Sequence, residues 1–391
     1  MEKNKEQNIF YDPTLKSRHT KAKIFKGFAL ASLVVSLFFL VIFLTDMISK
    51  GTPAFKQTYI QVEVTYNEKT VKSTRAAVDR KYRRLLSRAW FREIPKHVEA
   101  NPEIMGTTQL VWALADDQAD MYVKEHKYKL KSKDLALLKE LIEQDRVETR
   151  FNTIFFTTGD SLIPENSGIY SAAIGTIFTL IVTLSVAFPI GVATAVYLEE
   201  FAPDNKFTQL IEVNINNLAA IPSIVFGLLG LAIFINLFGL PRSSAVVGGL
   251  TLALMTLPII VVSSRAALRS VPASIRQAAY GLGLTKIQVV RDHVLPLAFP
   301  GIMTGSIIGM AQAMGETAPL IIVGMIAFIP DAPGSILDAA TVMPAQIFTF
   351  AGRPEIAYIE RTAAAILVLL SVLISLNALA VYLRHKFETK W

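Results

Sequence analysis

The chain has 391 residues, of which 52% are apolar and 18% charged, and it contains no cysteine. So large an apolar fraction, with a positive mean hydropathy, excludes a purely soluble protein, and the lack of cysteine excludes disulfides and thiolate metal sites. The net charge of +7 gathers at the ends of apolar stretches and forms no basic face interleaved with stacking aromatics, which argues against a nucleic-acid partner.

In chain order, a basic tail comes first, residues 1–26, with Lys3, Lys5, Lys16, Arg18, Lys21, Lys23 and Lys26. The first apolar window, Phe28–Leu44, follows. It is too long for a cleaved signal peptide and no small-residue cleavage pattern comes after it, so residues 27–48 are expected to stay as an anchoring helix.

Residues 49–155 are dense in charge and read as a small inserted α+β domain. "TYIQVEVTYN" (58–67) alternates as a strand does. "KSTRAAVDRKYRRLLSRAWFREIP" (72–95) and "SKDLALLKELIEQDRVETRF" (132–151) have helical spacing, the latter opening at Ser132 and Asp134. The basic run Lys124–Lys133 could attract an anionic partner. A solvated surface is the simpler reading, because acids nearly balance bases across the insert.

Five more apolar windows follow: Ala172–Tyr197, Ala219–Leu240, Ala245–Val262, Gly301–Phe328 and Thr362–Leu383. Each approaches the ~20 residues that cross a hydrocarbon core. The expected fold is an all-α integral membrane protein with six transmembrane helices, five of them in a core spanning 168–384, closed by a short tail at 385–391.

Three basic segments set the orientation: the first tail; Arg265, Arg269, Arg276, Lys286 and Arg291; and Arg384, Lys386 and Lys390. With six crossings all three fall on one side, which the positive-inside rule makes cytoplasmic. Both termini are then cytoplasmic and the insert extracytoplasmic. The segment after the second window runs against this trend, with Glu199, Glu200, Asp204 and Glu212 against Lys206, but acids weigh little in the rule.

A charged island, Ser274–Pro296, interrupts the apolar sequence within a cytoplasmic loop at 266–300. Ile275, Ala278, Ala279 and Leu282 share one helical face, and Gly283 is placed to end that helix. Thr285 and Gln288 have the spacing of a capping box for a second short helix, which Pro296 should stop before the next span. Such a helix-turn-helix, with small residues at 278 and 279, suits docking by a soluble partner. No phosphate-loop motif G-x-x-x-x-G-K-[ST] occurs in the chain. The five histidines, His19, His97, His126, His293 and His385, form no metal-ligand pair. No catalytic residue, metal or cofactor is expected.

In the fifth window, "AQAMGETAPLIIVGM" places Glu316 inside an apolar helix, where a carboxylate costs about 2.5–3.5 kcal/mol. Pro319 should leave the carbonyl of Gly315 without its helical donor, Gln312 lies one turn before Glu316, and Thr317 adds a hydroxyl. These four residues are read as lining a translocation pathway; a carboxylate paired with another helix for assembly is the alternative.

The island resembles the docking loop of ATP-binding-cassette importer permeases: Gln277-Ala278-Ala279, Gly283 and Leu295-Pro296 stand at that family's spacing. Gln277 replaces the usual glutamate, and His293 sits where an aliphatic residue is more common. "YLEEFAP" (197–203), "IPSIVFGLLGL" (221–231), "PGIMTG" (300–305) and "GETAPL" (315–320) resemble the A-type permease subunit of phosphate importers, a likeness covering the first span and residues from about Phe151 onward. Many members carry an arginine where Gln312 stands.

The resemblance implies a bacterial inner-membrane, multi-pass permease for phosphate. It would work with a pair of separate ATPase subunits, a second homologous permease and an extracytoplasmic phosphate-binding protein. On that reading Glu316 accepts a hydrogen bond from a protonated phosphate oxygen, or pairs with an arginine of the partner permease. The rivals are a permease for molybdate or sulfate, a secondary transporter in which Glu316 relays protons, and a sensor that moves no solute.

Overall fold

A computed structural model describes residues 14–125 and 130–387. Lys3, Lys5, Lys390, His126 and the middle of the Lys124–Lys133 run lie outside them. The chain divides into two compact units, Met1–Ser49 and Lys50–Trp391. Helix α1 (Leu15–Gly51) runs through the first. Phe28, Leu33, Phe38 and Leu40 stand exposed on it, and a helix apolar all round is suited to lipid.

The second unit opens with a three-stranded antiparallel sheet in the order β2-β1-β3, formed by β1 (Lys56–Thr65), β2 (Thr108–Leu114) and β3 (Val147–Phe151). Ile60, Val62 and Val64 alternate inward from β1 and pack with Leu85, Leu86, Phe91, Ile94, Leu138 and Leu141. Two expected helices are shorter than their sequence spacing suggests. Within 72–95 the long helix starts only at Arg88 (α2, Arg88–Ala100), capped by the Ser87 side chain. The backbone before it is drawn to the sheet: Ser87 N–H donates to Leu114 O and Asp116 N–H to Leu85 O, so pairing overrides helical propensity. Within 132–151 the helix (α4, Ser132–Glu143, following α3, Asp117–Glu125) has Lys131 as N-cap and Asp134 in its first turn. Asp145 then adopts φ 53°, and the rest becomes β3 because the edge of β1 offers hydrogen bonds from Lys56 to Ile60.

The membrane core is arranged around α8. Its helices are α5 (Tyr170–Val196), α6 (Lys206–Leu218), α7 (Ser223–Gly230, continued by a π-helical stretch to Leu237) and α8 (Ala245–Arg269), followed after the island by a helix over Lys286–Gly315 and a last one over Ala357–Phe387. Small residues let α5 and α8 approach closely: a Cβ on Gly249 would lie 2.5 Å from Val182, and Thr183 Oγ1 donates to Gly249 O at 3.1 Å. Packing of this kind holds helices together where the surrounding solvent is itself apolar.

Among the described residues five helices are long and apolar enough to cross a membrane, or six when one bent pair is counted as a span. That pair is the correction to the third window. Residues 206–218 and 223–237 are separate helices bent by 103°, and the apolar arm covers only about 22 Å at 1.5 Å per residue. The fifth window is also displaced. Its helix begins in the island and ends at Gly315, where Glu316 turns extended (φ −79°, ψ 129°). Pro319, which cannot occupy a helix interior without losing a bond, instead sits in the first turn of a short helix, Ala318–Ile322.

Candidate functional site

The island folds as an elbow. Helix α9 (Ala273–Gly281) ends at Leu282, and Gly283 takes φ +79°, the left-handed turn in which glycine carries no Cβ penalty. Thr285 then starts the next helix with the expected capping box, its N–H and Oγ1 lying 2.9 and 2.8 Å from Gln288 Oε1.

Pro296 does not end that helix. A π-helical stretch over Val289–Val294 leads directly into Leu295–Gly315. Wider winding there relieves the ring clash and accommodates the missing N–H. The elbow is thus covalently continuous with a membrane helix, whereas the sequence suggested a break.

The elbow's faces also differ from expectation. Ala279 is buried against Val271, Val289 and Val294, and Ile275 is half-buried. Ala278 and Leu282, expected on the same face, are exposed: Ala279 alone of the small pair is covered. Gln277, Gly283 and Pro296 are exposed and Leu295 half-buried. The outer surface is apolar at its tips, with Leu282 80% and Ile287 66% exposed beside Tyr280.

Beneath the elbow lies an ionic belt that the sequence did not reveal. Arg265 meets Glu199 at 3.3 Å and Glu212 at 2.6 Å, Arg269 meets Glu199 at 2.8 Å, and Arg276 meets Glu200 at 2.6 Å. Arg276 also donates to the carbonyls of Leu268 and Val271, at 3.0 and 2.8 Å, satisfying the open end of α8. The belt ties the ends of α5 and α8 to α6 and α9. Three of the four acids that opposed the charge trend, Glu199, Glu200 and Glu212, are the partners of Arg265, Arg269 and Arg276. Their spacing against the trend was the available signal.

The second locus is the break after Gly315. Pro319 is buried and lies against α7, where a Cβ on Gly227 would sit 2.8 Å from Pro319 Cα and O. Two segments distant in sequence, around Gly227 and around Pro319, meet through that missing side chain. Gln312 is exposed, and Glu316 and Thr317 are half-buried. The helix ends at Gly315, so it is the chain after Glu316 that leaves the helical path. Among the described residues neither the Gln312 nor the Glu316 side chain has a hydrogen-bond or ion-pair partner.

Residues 187–389 match the family described as "Binding-protein-dependent transport system inner membrane component". Residues 12–81 and 71–131 match a domain of unknown function, DUF3333. The chain is 36% identical over 168 residues, 43% of its own length, to the probable ABC transporter permease protein YqgI of Bacillus subtilis (strain 168), of which it spans 56%. It is 32% identical over 219 residues, 55% of its length, to the phosphate transport system permease protein PstA of Mycobacterium leprae (strain TN), of which it spans 71%. A chain of the MetNI methionine ABC transporter, from a structure of inward-facing conformations, aligns with a TM-score of 0.44 at 19% identity, covering 57% of this chain and 98% of that one.

Proposed function

Because this chain belongs to the family of binding-protein-dependent transport system inner membrane components, we propose that it is the translocation subunit of an ATP-driven importer and that phosphate is the cargo. The elbow is the observation that carries the reading. An exposed apolar tip on a rigid, charge-braced base is a docking surface awaiting a partner, and its outgoing helix runs unbroken into the membrane. The partner on this reading is a pair of ATPase subunits, which supply the hydrolysis for which this chain has no phosphate loop. The name of the mycobacterial relative supports phosphate.

The path runs between this chain and a second, homologous permease. Gln312 is exposed and Glu316 only half-buried, so the polar groups at the break lie where another chain must close over them. Glu316 without an internal partner is available to a protonated phosphate oxygen or to an arginine of that second permease. An extracytoplasmic phosphate-binding protein delivers the cargo on the insert's side, and both termini are cytoplasmic.

ATP-driven phosphate uptake in sealed vesicles, with the proton gradient collapsed, tests the reading. Uptake that needs ATP and is outcompeted by phosphate rather than molybdate or sulfate is expected. Uptake that follows the proton gradient instead would replace it with secondary transport. Normal uptake by an assembled Glu316→Gln variant would remove Glu316 from the pathway.

A further inference from the structure

Arg75, Arg80, Arg83, Arg84 and Arg88, with Lys131, line one cavity of about 550 Å³ in the insert. The gathering depends on the fold. On one continuous helix, at 3.6 residues per turn, these arginines would spread over about 220° of the circumference. The turns before Ser87 and the buried anchors Leu85 and Leu86 bring them around a single concavity.

Their charge is compensated mainly at Arg88, beside which Asp116, Asp117 and Glu165 gather. Of the two acids lining the cavity, Asp134 reaches Arg84 at only 3.9 Å. Asp116 is pushed up to about 8 by burial, with Asp117 and Glu165 beside it raising it further and Arg88 opposing, so burial and the neighbouring acids disfavour its charged form. Arg83 Nε is occupied by Val78 O at 2.8 Å. Arg75 and Arg80 meet no carboxylate among the described residues. A guanidinium cannot shed its proton to relieve the repulsion, and low-dielectric walls concentrate the field inside a concavity. Such an arrangement calls for an anion of matching charge.

We propose that this cavity is a binding site for a multiply charged phosphoryl anion. A phosphoryl group offers up to two charges and three acceptor oxygens to neighbouring guanidinium forks, where a single carboxylate serves one. The volume falls within the small-molecule range and leaves room for more than one phosphoryl group or for a phosphorylated headgroup. The site lies in the insert, apart from the break at Glu316, and does not depend on the transport reading.

Its test uses the full chain alone, without ATPase, in nanodiscs of neutral phosphatidylcholine, titrated with inorganic pyrophosphate and then inorganic phosphate. Saturable pyrophosphate binding is expected, weakened by salt. It should fall roughly tenfold or more in a chain carrying Arg75→Ala, Arg80→Ala and Arg84→Ala, whose unfolding temperature should match the wild type. In discs containing phosphatidic acid, loss of pyrophosphate binding by the wild-type chain assigns the site to a lipid headgroup, and unchanged binding assigns it to a soluble anion. Absence of saturable pyrophosphate binding by the wild-type chain in neutral discs, or equal affinity in the triple variant, overturns the proposal. Replacing the three arginines with lysine keeps the charge and removes the forks. Weaker binding by that variant than by the wild type supports bidentate recognition, and undiminished binding overturns it.

Discussion

The insert and the elbow both concentrate arginine, and they treat it in opposite ways. At the elbow, Arg265, Arg269 and Arg276 each meet a carboxylate within 3.3 Å, and Glu200 is 8% exposed at its side chain. In the insert, five arginines share one cavity and a single ion pair at 3.9 Å. At the elbow every paired charge fixes one helix end to another, a brace that suits the force-transmitting role proposed for it. A cavity that must receive a ligand leaves its charges unpaired, because each internal partner would have to be displaced first.

The contrast is broken most directly at Arg276. Arg276→Ala strands the buried Glu200 carboxylate and frees two carbonyls, and should lower stability by about 3 kcal/mol, measured by thermal unfolding of the purified chain. The charge swap Glu200→Arg with Arg276→Glu should recover part of that loss if the pair itself, rather than either residue, is the brace.

Comparable in size is a pH effect in the insert. Asp116 is held up to about 8 in the folded chain against an ordinary carboxylate value near 4 in the unfolded one. Between those values the folded chain binds the extra proton, so stability is greater at low pH and falls as pH rises through about 8, by at most about 1.4 kcal/mol per unit. Asp116→Asn should flatten that slope while raising stability at neutral pH. An unchanged slope in unfolding curves from pH 5 to 8 would place the titration elsewhere.

A smaller effect is expected at the elbow's tip. Leu282→Ser should leave the chain's own stability unchanged, since the side chain is exposed. On the proposed function it should weaken capture of the ATPase subunits by about 1–2 kcal/mol, read as a loss of affinity on titration. The smallest effect sharpens the comparison from the other side. Arg80→Gln should change stability by less than about 0.5 kcal/mol, or raise it slightly by relieving like-charge repulsion, although the same residue type at 276 is costly to remove.

Much of the elbow was legible. The Thr285 and Gln288 spacing and the left-handed Gly283 are local, and the structure has both. The exposure of Leu282 was not, because it depends on which segments pack against the elbow. At the break, the pairing of Pro319 with a membrane helix pointed to distortion, but the end of the helix at Gly315 and the short helix that takes up Pro319 were not legible from periodicity. In the insert, β1 announced itself by alternation. The stretch 72–95 read as helix because its apolar residues have helical spacing, while its backbone is claimed by the end of β2.

The sequence by itself determined the properties that depend on near neighbours or on simple sums: that the chain is a membrane protein, where its apolar stretches lie, and how the elbow is capped. The tertiary structure decided which charges meet. Glu200 and Arg276 are 76 residues apart, and Arg75 and Arg88 share a cavity only because turns replace a helix between them. Electrostatic interaction depends on distance in space and on burial, and neither is written in local spacing.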